Sequence, residues 1–326
     1  MGGNAIKTFK INRISNDVII KLKAYFTALF EKEGITIYFP YDPPDKINHG
    51  DLDIVFYCSI SVVIDIIKLV INPKEIVYSG TVSFEFAFDQ SDIYYQIDLI
   101  QTDHIGYFFL SYGDVGGIIG TIVKHFGLTF GINGLYIDIY SDHIENFIGK
   151  YRLVLSTDPR SICDYLGLDY SKWGYFKSNL EIYEWIVASR FFQKSIFTTA
   201  TNRDHRKRLE RPFYSEFIKY ISENEFTKQN DDYIFINAII EFDKCVEFDK
   251  LKEDTIKRTK YMQMYNGHIL INDYKLDSKS ISTFNKQFEE YIYDRYNVNF
   301  IDWILNTSQY SFIIIITYYI EHHIIL

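Results

Sequence analysis

The stretch KINHGDLDIVFY, residues 46–57, sets Asp51 and Asp53 one residue apart at the mouth of an apolar run. Side chains alternate between the two faces of an extended strand, so these aspartates share one face while Leu52, Ile54 and Phe56 share the other. The same rule applied to YYQIDLIQ, residues 94–101, groups Gln96, Asp98 and Ile100 against Ile97 and Leu99. If the two strands are neighbours, three carboxylates meet. Crowded carboxylates repel one another and lose hydration, and divalent cations relieve both penalties. Two such ions about 3.5–4 Å apart clamp the attacking and leaving oxygens of an in-line phosphoryl transfer. Oxygen donors suit Mg²⁺, with Mn²⁺ as a substitute, and Mg²⁺ takes one or two carboxylates together with substrate phosphates. Gly50, directly before the pair, lets a triphosphate approach the backbone. Glu85 and Asp89 are rival third ligands that spacing alone does not separate from Asp98. The plainer reading makes Asp51 a turn cap and leaves Asp53 on a solvated edge.

The elements that must position these groups follow from periodicity. Residues 16–33, NDVIIKLKAYFTALFEKE, have apolar side chains at helical spacing and stop at Gly34. GITIYFPYDPPD is a short strand ended by Pro40, Pro43 and Pro44. GDLDIVFY is a second strand, and SVVIDIIKLVI a helix stopped at Asn72-Pro73. EIVYSGTVSFEFAFD and DIYYQIDLIQT alternate at period two around a DQSD turn. A helix is expected over 118–126, then a FGINGLYIDI turn and strand. Helices follow over 159–222, and polar SENEFTKQNDDY (222–233) is the best linker. Long amphipathic helices then cover 233–265 and 280–296. The expected fold is α+β: a mixed-sheet domain over 1–150 and a mostly helical region over 151–326.

HGDLDIVF followed by IYYQIDLI resembles the D-x-D and third-aspartate signature of the DNA polymerase beta-like nucleotidyltransferase superfamily. The collinear run YSGTVSFEF, YQIDLI, DVGGIIGTIVKHFGLTFGINGLY, LSTDPRSICDYLGLD, ASRFF and NRDHRKRLERPFYSEF is similar to uncharacterised nucleotidyltransferase-like proteins of phages and large DNA viruses. That resemblance extends over most of the chain. It implies that Asp51 and Asp53 bind both metal ions, and that Asp98 binds the catalytic one and helps activate an acceptor hydroxyl. It further implies transfer of a nucleoside monophosphate from ATP or another ribonucleoside triphosphate to a hydroxyl; an RNA 3′ end fits the basic stretch at 202–214 and the helical tail, and a small molecule or a protein side chain fits the acidic average equally well. The rival reading is a non-catalytic scaffold or binding module of the same fold within a viral complex. The superfamily holds phosphates on a Gly-Gly or Gly-Ser turn shortly before the D-x-D. Here the candidates are Gly2-Gly3 and Ser79-Gly80, and both stay open. Thr121 stands where the resemblance implies a basic residue, with Lys124 and His125 one turn on.

Positive charge is concentrated in NRDHRKRLERPFY, residues 202–214, where Arg206 and Arg208 are candidate ligands of outgoing pyrophosphate or of a nucleic-acid backbone. Arg190 is read with equal weight as an ion-pair partner and as a triphosphate ligand. His49, His322 and His323 are expected at the surface. A formal net charge of −9 argues against a protein that coats nucleic acid by bulk electrostatics, while a local basic patch remains compatible. Cys58, Cys163 and Cys245 have no metal-like spacing and read as reduced core residues. The start MGGNAIKTFKINR lacks an apolar signal core, and Ile6 stands where a myristoylation motif needs Ser or Thr. SFIIIITYYI, residues 311–320, is about half the length of a membrane span. These features lead to the expectation of a cytoplasmic protein, in the host cytoplasm if viral, without a membrane partner; oligomeric state is not encoded legibly.

Overall fold

Residues 4–88, 91–140, 151–198, 203–226 and 235–323 are described by the computed structural model, and within them the chain is α+β. It divides into two compact units, 1–137 with 154–242, and 138–153 with 243–326.

In the first unit β1 (Ile14–Ser15) leads into α1 (Asn16–Lys32), followed by β2 (Ile37–Tyr38), β3 (Asn48–His49) and β4 (Asp51–Phe56). Ile19, Leu22, Phe26 and Phe30 recur three or four residues apart on α1, and all four are buried. The helix ends at Gly34, which adopts φ +71°. Then come α2 (Ile60–Val70), β5 (Ile76–Ser79), β6 (Thr81–Phe86) and β7 (Tyr95–Gln101). The expected single strand over EIVYSGTVSFEF is therefore two. Gly80, at φ +73°, turns the chain between them, and Ser79 pairs with Thr81 across that hairpin.

These strands form a mixed sheet ordered β2-β4-β7-β6-β5, in which β4 and β7 run parallel and the other pairs antiparallel. One face carries Leu52, Ile54, Phe56, Val82, Phe84, Ile97 and Leu99, which pack with Phe26 and Phe30 of α1 and Val63 and Ile67 of α2. The other face therefore receives the alternate residues, which include Asp51, Asp53 and Asp98.

Beyond the sheet lie α3 (His104–Leu110), α4 (Val115–Lys124) and a hairpin of β8 (Thr129–Gly131) and β9 (Gly134–Ile139). Helix α3 had no clear signature, being only seven residues of near-continuous apolar sequence. After β10 (Tyr151–Ser156) come α5 (Pro159–Leu166), α6 (Asn179–Val187), α7 (Ser195–Thr198), α8 (Arg203–Leu209), α9 (Pro212–Glu223) and α10 (Phe235–Glu241). The expected division at 150 does not match this organisation. Trp173 packs on Phe108 of α3 with ring centroids 4.1 Å apart, and Arg211 pairs with Asp114 at the start of α4, so the 154–242 helices group with the sheet-bearing unit through α3 and α4. Most of the expected linker, from 227 onward, lies outside the described residues.

The second unit holds α11 (Cys245–Met264), α12 (Gly267–Asn272), α13 (Ile281–Tyr296), α14 (Phe300–Asn306) and α15 (Gln309–His323) around Phe284, Phe288, Trp303, Phe312 and Ile316. The expected continuous helix over 233–265 breaks before Cys245, at Asp243, whose φ is +53°. Cys163 is buried and Cys58, half-buried, packs against the sheet core, while Cys245 is exposed, so the core reading fails for Cys245. No single helix among the described residues is long and apolar enough to cross a membrane; α3 and α4 pass only as a pair bent by 98°.

Phe26 has no exposed surface, and its ring meets those of Phe30, Phe84 and Phe86. Replacing it leaves a cavity against the sheet, so Phe26→Ala is expected to lose about 3–5 kcal/mol in chemical denaturation. Ile20→Ala, on the exposed side of the same helix, is expected to stay within about 0.5 kcal/mol of wild type.

Candidate functional site: a carboxylate row on the polar face

The parallel register of β4 and β7 sets Asp53 directly opposite Asp98 and Asp51 opposite Gln96. Antiparallel β6 extends both rows, with Ser83 opposite Asp98 and Glu85 opposite Gln96. One row across the sheet thus reads Asp53, Asp98, Ser83; the next reads Asp51, Gln96, Glu85. Neighbouring strands are about 4.8 Å apart, and like charges directly opposite destabilise a sheet. The two strands do meet, and the three aspartates do share a face.

Electrostatics records the crowding. Burial, then the charges of Asp51 and Asp98, push Asp53 up to about 7, against an opposing pull from Lys46. Burial raises Asp98 to about 6, aided by Asp51 and opposed by hydrogen bonds from Ser83 and Gln96. Gln96 orients the group: its Nε2 donates to Asp98 Oδ1 at 2.9 Å, while its Oε1 accepts from the Ala5 amide at 2.9 Å. The rival Glu85 is committed elsewhere, accepting the backbone N–H groups of Lys74 at 2.5 Å and Glu75 at 3.0 Å. Asp89 lies outside the described residues, as do Gly2 and Gly3.

A pocket opens beside Asp51 and Asp53, lined also by Tyr41, Asp42, Lys23, Lys46 and Gly113. Asp42 accepts from Lys46 Nζ at 2.7 Å and from Lys23 Nζ and His49 Nδ1 at 3.1 Å each. Burial opposes ionisation of Asp42, but the His49 hydrogen bond and the two lysines outweigh it and hold its carboxyl well below the usual range. His49 is 3% exposed and also meets Asn16 Oδ1, which corrects the expectation of a surface histidine: a residue between strand and helix is enclosed by both. His322 is exposed, as expected. Gly50 is buried and joins β3 to β4 at the mouth of the row.

The remaining candidates are dispersed. Ser79 and Gly80 form the β5–β6 turn, level with the far end of β7 and two strands removed from β4, so the hairpin carries them away from the carboxylates. Arg190 pairs with Glu241 at 2.7 Å and lies over the Tyr165 ring, which matches the ion-pair alternative. Arg208 donates to the Gly117 carbonyl at 2.9 Å and to Thr121 Oγ1 at 3.0 Å, fastening α8 to α4. Arg206 is exposed on α8. Asp42, Lys23 and Lys46 were missed from sequence. Lys46 stands only five residues before Asp51, and the signal was the i, i+4 spacing of Asp42 and Lys46 around Pro43-Pro44.

Among the described residues no group of three or more His, Cys, Asp or Glu side chains is arranged so that it could hold a metal ion as it stands. The donor chemistry nevertheless fits Mg²⁺, because an open row of raised-pKa carboxylates leaves coordination positions for water and substrate oxygens. No protein-family model matches the chain, and no curated protein matches it.

The raised carboxyls make stability depend on pH. Their contribution to the metal-free protein is complete below about pH 4 and is lost as pH rises through about 6 and about 7. Asp42 has the opposite sign and acts below about pH 4, outside that window. Thermal unfolding in EDTA is expected to show Asp53→Asn flattening the decline of wild type between about pH 4.5 and 8 and gaining on the order of 3 kcal/mol at the upper end. Parallel pH curves for the two proteins would contradict the electrostatic assignment.

Proposed function

We propose that the chain is a metal-dependent nucleotidyltransferase that moves a nucleoside monophosphate from a nucleoside triphosphate to a hydroxyl acceptor. The observation that carries this reading is the Asp53–Asp98 register on adjacent parallel strands, with Asp51 one pleat away on the same face. Bound divalent ions would neutralise the α phosphate and the nucleophile, the chemistry that two-metal sites supply. Asp51, Asp53 and Asp98 would hold them. The acceptor oxygen attacks the α phosphorus, a new P–O bond forms, and the bond to the β phosphate breaks with its electron pair leaving on pyrophosphate. Asp98, directly opposite Asp53, would hold the catalytic ion and help activate the acceptor hydroxyl. Gln96 and Ser83 keep its oxygens oriented.

An RNA 3′ end is the acceptor we favour, with Arg206 and the exposed face of α8 offered to its backbone. A cytoplasmic site of action belongs to the same proposal, and the finer nucleotidyltransferase fold assignment belongs to it too. Metal-dependent phosphodiester cleavage is a second reading, favoured by Lys46 lining the same pocket as the carboxylates. A fold-only scaffold is the non-enzymatic alternative.

Incubation of the protein with Mg²⁺, each labelled triphosphate and a pool of RNAs reads the first two directly. Wild type is expected to label RNA, and Asp51→Ala with Asp53→Ala to lose at least about 10³-fold of that rate. Shortening of RNA without triphosphate would favour cleavage. Labelling by both proteins, or by neither on RNA, DNA and small hydroxyl acceptors, would remove the catalytic claim.

A further inference from the structure

In-line transfer needs positive charge where the pyrophosphate charge develops, within reach of the carboxylate row. The pocket beside Asp51 and Asp53 is lined by two ammonium groups, Lys23 and Lys46. Both converge on Asp42, at 3.1 Å and 2.7 Å, and their side chains remain about one-third exposed. A lysine ammonium has three donors, and the bond to Asp42 uses one, so each retains donors for phosphate oxygens. Lys46 is close enough to oppose the rise in the Asp53 pKa. Of the arginines expected to do this work, Arg190 binds Glu241 and Arg208 binds Gly117 and Thr121, while Arg206 is exposed on α8.

We propose that Lys46 and Lys23 receive the β and γ phosphates of the triphosphate. Asp42 is a positioning residue that holds both ammonium groups toward the carboxylate row. The proposal rests on the nucleotidyl-transfer reading of the three aspartates. When the bond from the α phosphorus to the bridging oxygen breaks, the pyrophosphate that departs with the electron pair is met by the two lysines, and no further reactant is required.

The test separates this inference from its premise by reading metal and polyphosphate independently. Thermal unfolding of the full chain with and without Mg²⁺ reports the carboxylates. Calorimetric titration with tripolyphosphate in Mg²⁺ reports the lysines. Wild type is expected to gain Tm with Mg²⁺ and to bind tripolyphosphate. Lys46→Met and Lys23→Met should keep the Mg²⁺ gain and weaken tripolyphosphate by about tenfold or more each. Lys46→Arg should retain most of the binding, and Lys68→Ala, exposed on α2, all of it. Both lysines are ion-paired to Asp42, so Lys23→Met carries the comparison if Lys46→Met does not fold, with the charge-keeping Lys46→Arg as its control. Undiminished tripolyphosphate binding in the lysine variants, or none in a wild type that responds to Mg²⁺, would overturn the assignment. So would loss of the Mg²⁺ response in the lysine variants, which would make them supports of the fold. Absence of a Mg²⁺ response in wild type would instead remove the carboxylate premise.

Discussion

Two carboxylates held side by side on adjacent strands lose hydration and repel one another, and the apolar face behind them fixes the register that keeps them there. Asp53 and Asp98 face each other across one strand spacing in the parallel register of β4 and β7. Two full charges about 5 Å apart cost on the order of 3 kcal/mol at an effective dielectric of about 20. The opposite face of the same strands offsets this with continuous apolar contact, where Leu52, Ile54, Ile97 and Leu99 pack under α1 and α2. Register and repulsion are therefore inseparable: a one-residue slip would move the aspartates into the apolar layer and bring leucine and isoleucine out.

Polar neighbours of the row restrain it without neutralising it. Gln96 joins Asp98 to the N-terminal segment, Ser83 adds a second donor, and Glu85 is withdrawn to hold the 74–75 loop. On the pocket side, Asp42 gathers Lys23, Lys46 and His49. Charges of both signs thus stand next to each other, so a ligand that is anionic and carries cations finds a complement for each part. Arg208 and Arg211 have a different part, tying α8 and the start of α9 to α4. A Cβ at Gly117 would stand 3.2 Å from the Arg208 guanidinium, so the glycine gives that contact room.

The alternation around Asp51, Asp53 and Asp98 was legible in the sequence because a period of two needs no knowledge of the partner strand. Helix α1 was legible for the same reason at a longer period. That β4 and β7 are neighbours was a supposition until the register was known, since pairing is set by contacts more than forty residues apart. His49 was misread because its burial comes from α1 and the Asp42 turn, neither of which its own flanks reveal. The lysines escaped notice because Lys23 lies on an ordinary amphipathic helix and meets Asp42 only in space. The observed units divide elsewhere than at 150 because aromatic packing of Trp173 on Phe108 joins the later helices to α3, within the unit that carries the sheet. The split at Gly80 was hidden by an alternation that continues on both sides of the turn.

The central claim is that the aspartate row is a binding site for a pair of divalent cations, and locating those cations tests it most directly. Crystals soaked with Mn²⁺ and a non-hydrolysable triphosphate analogue, measured at the manganese edge, are predicted to show two anomalous peaks about 3.5–4 Å apart. Both should lie within bonding distance of the carboxylates of Asp51, Asp53 and Asp98. Ordered analogue with no manganese at those three residues, or manganese bound only elsewhere on the chain, would contradict it.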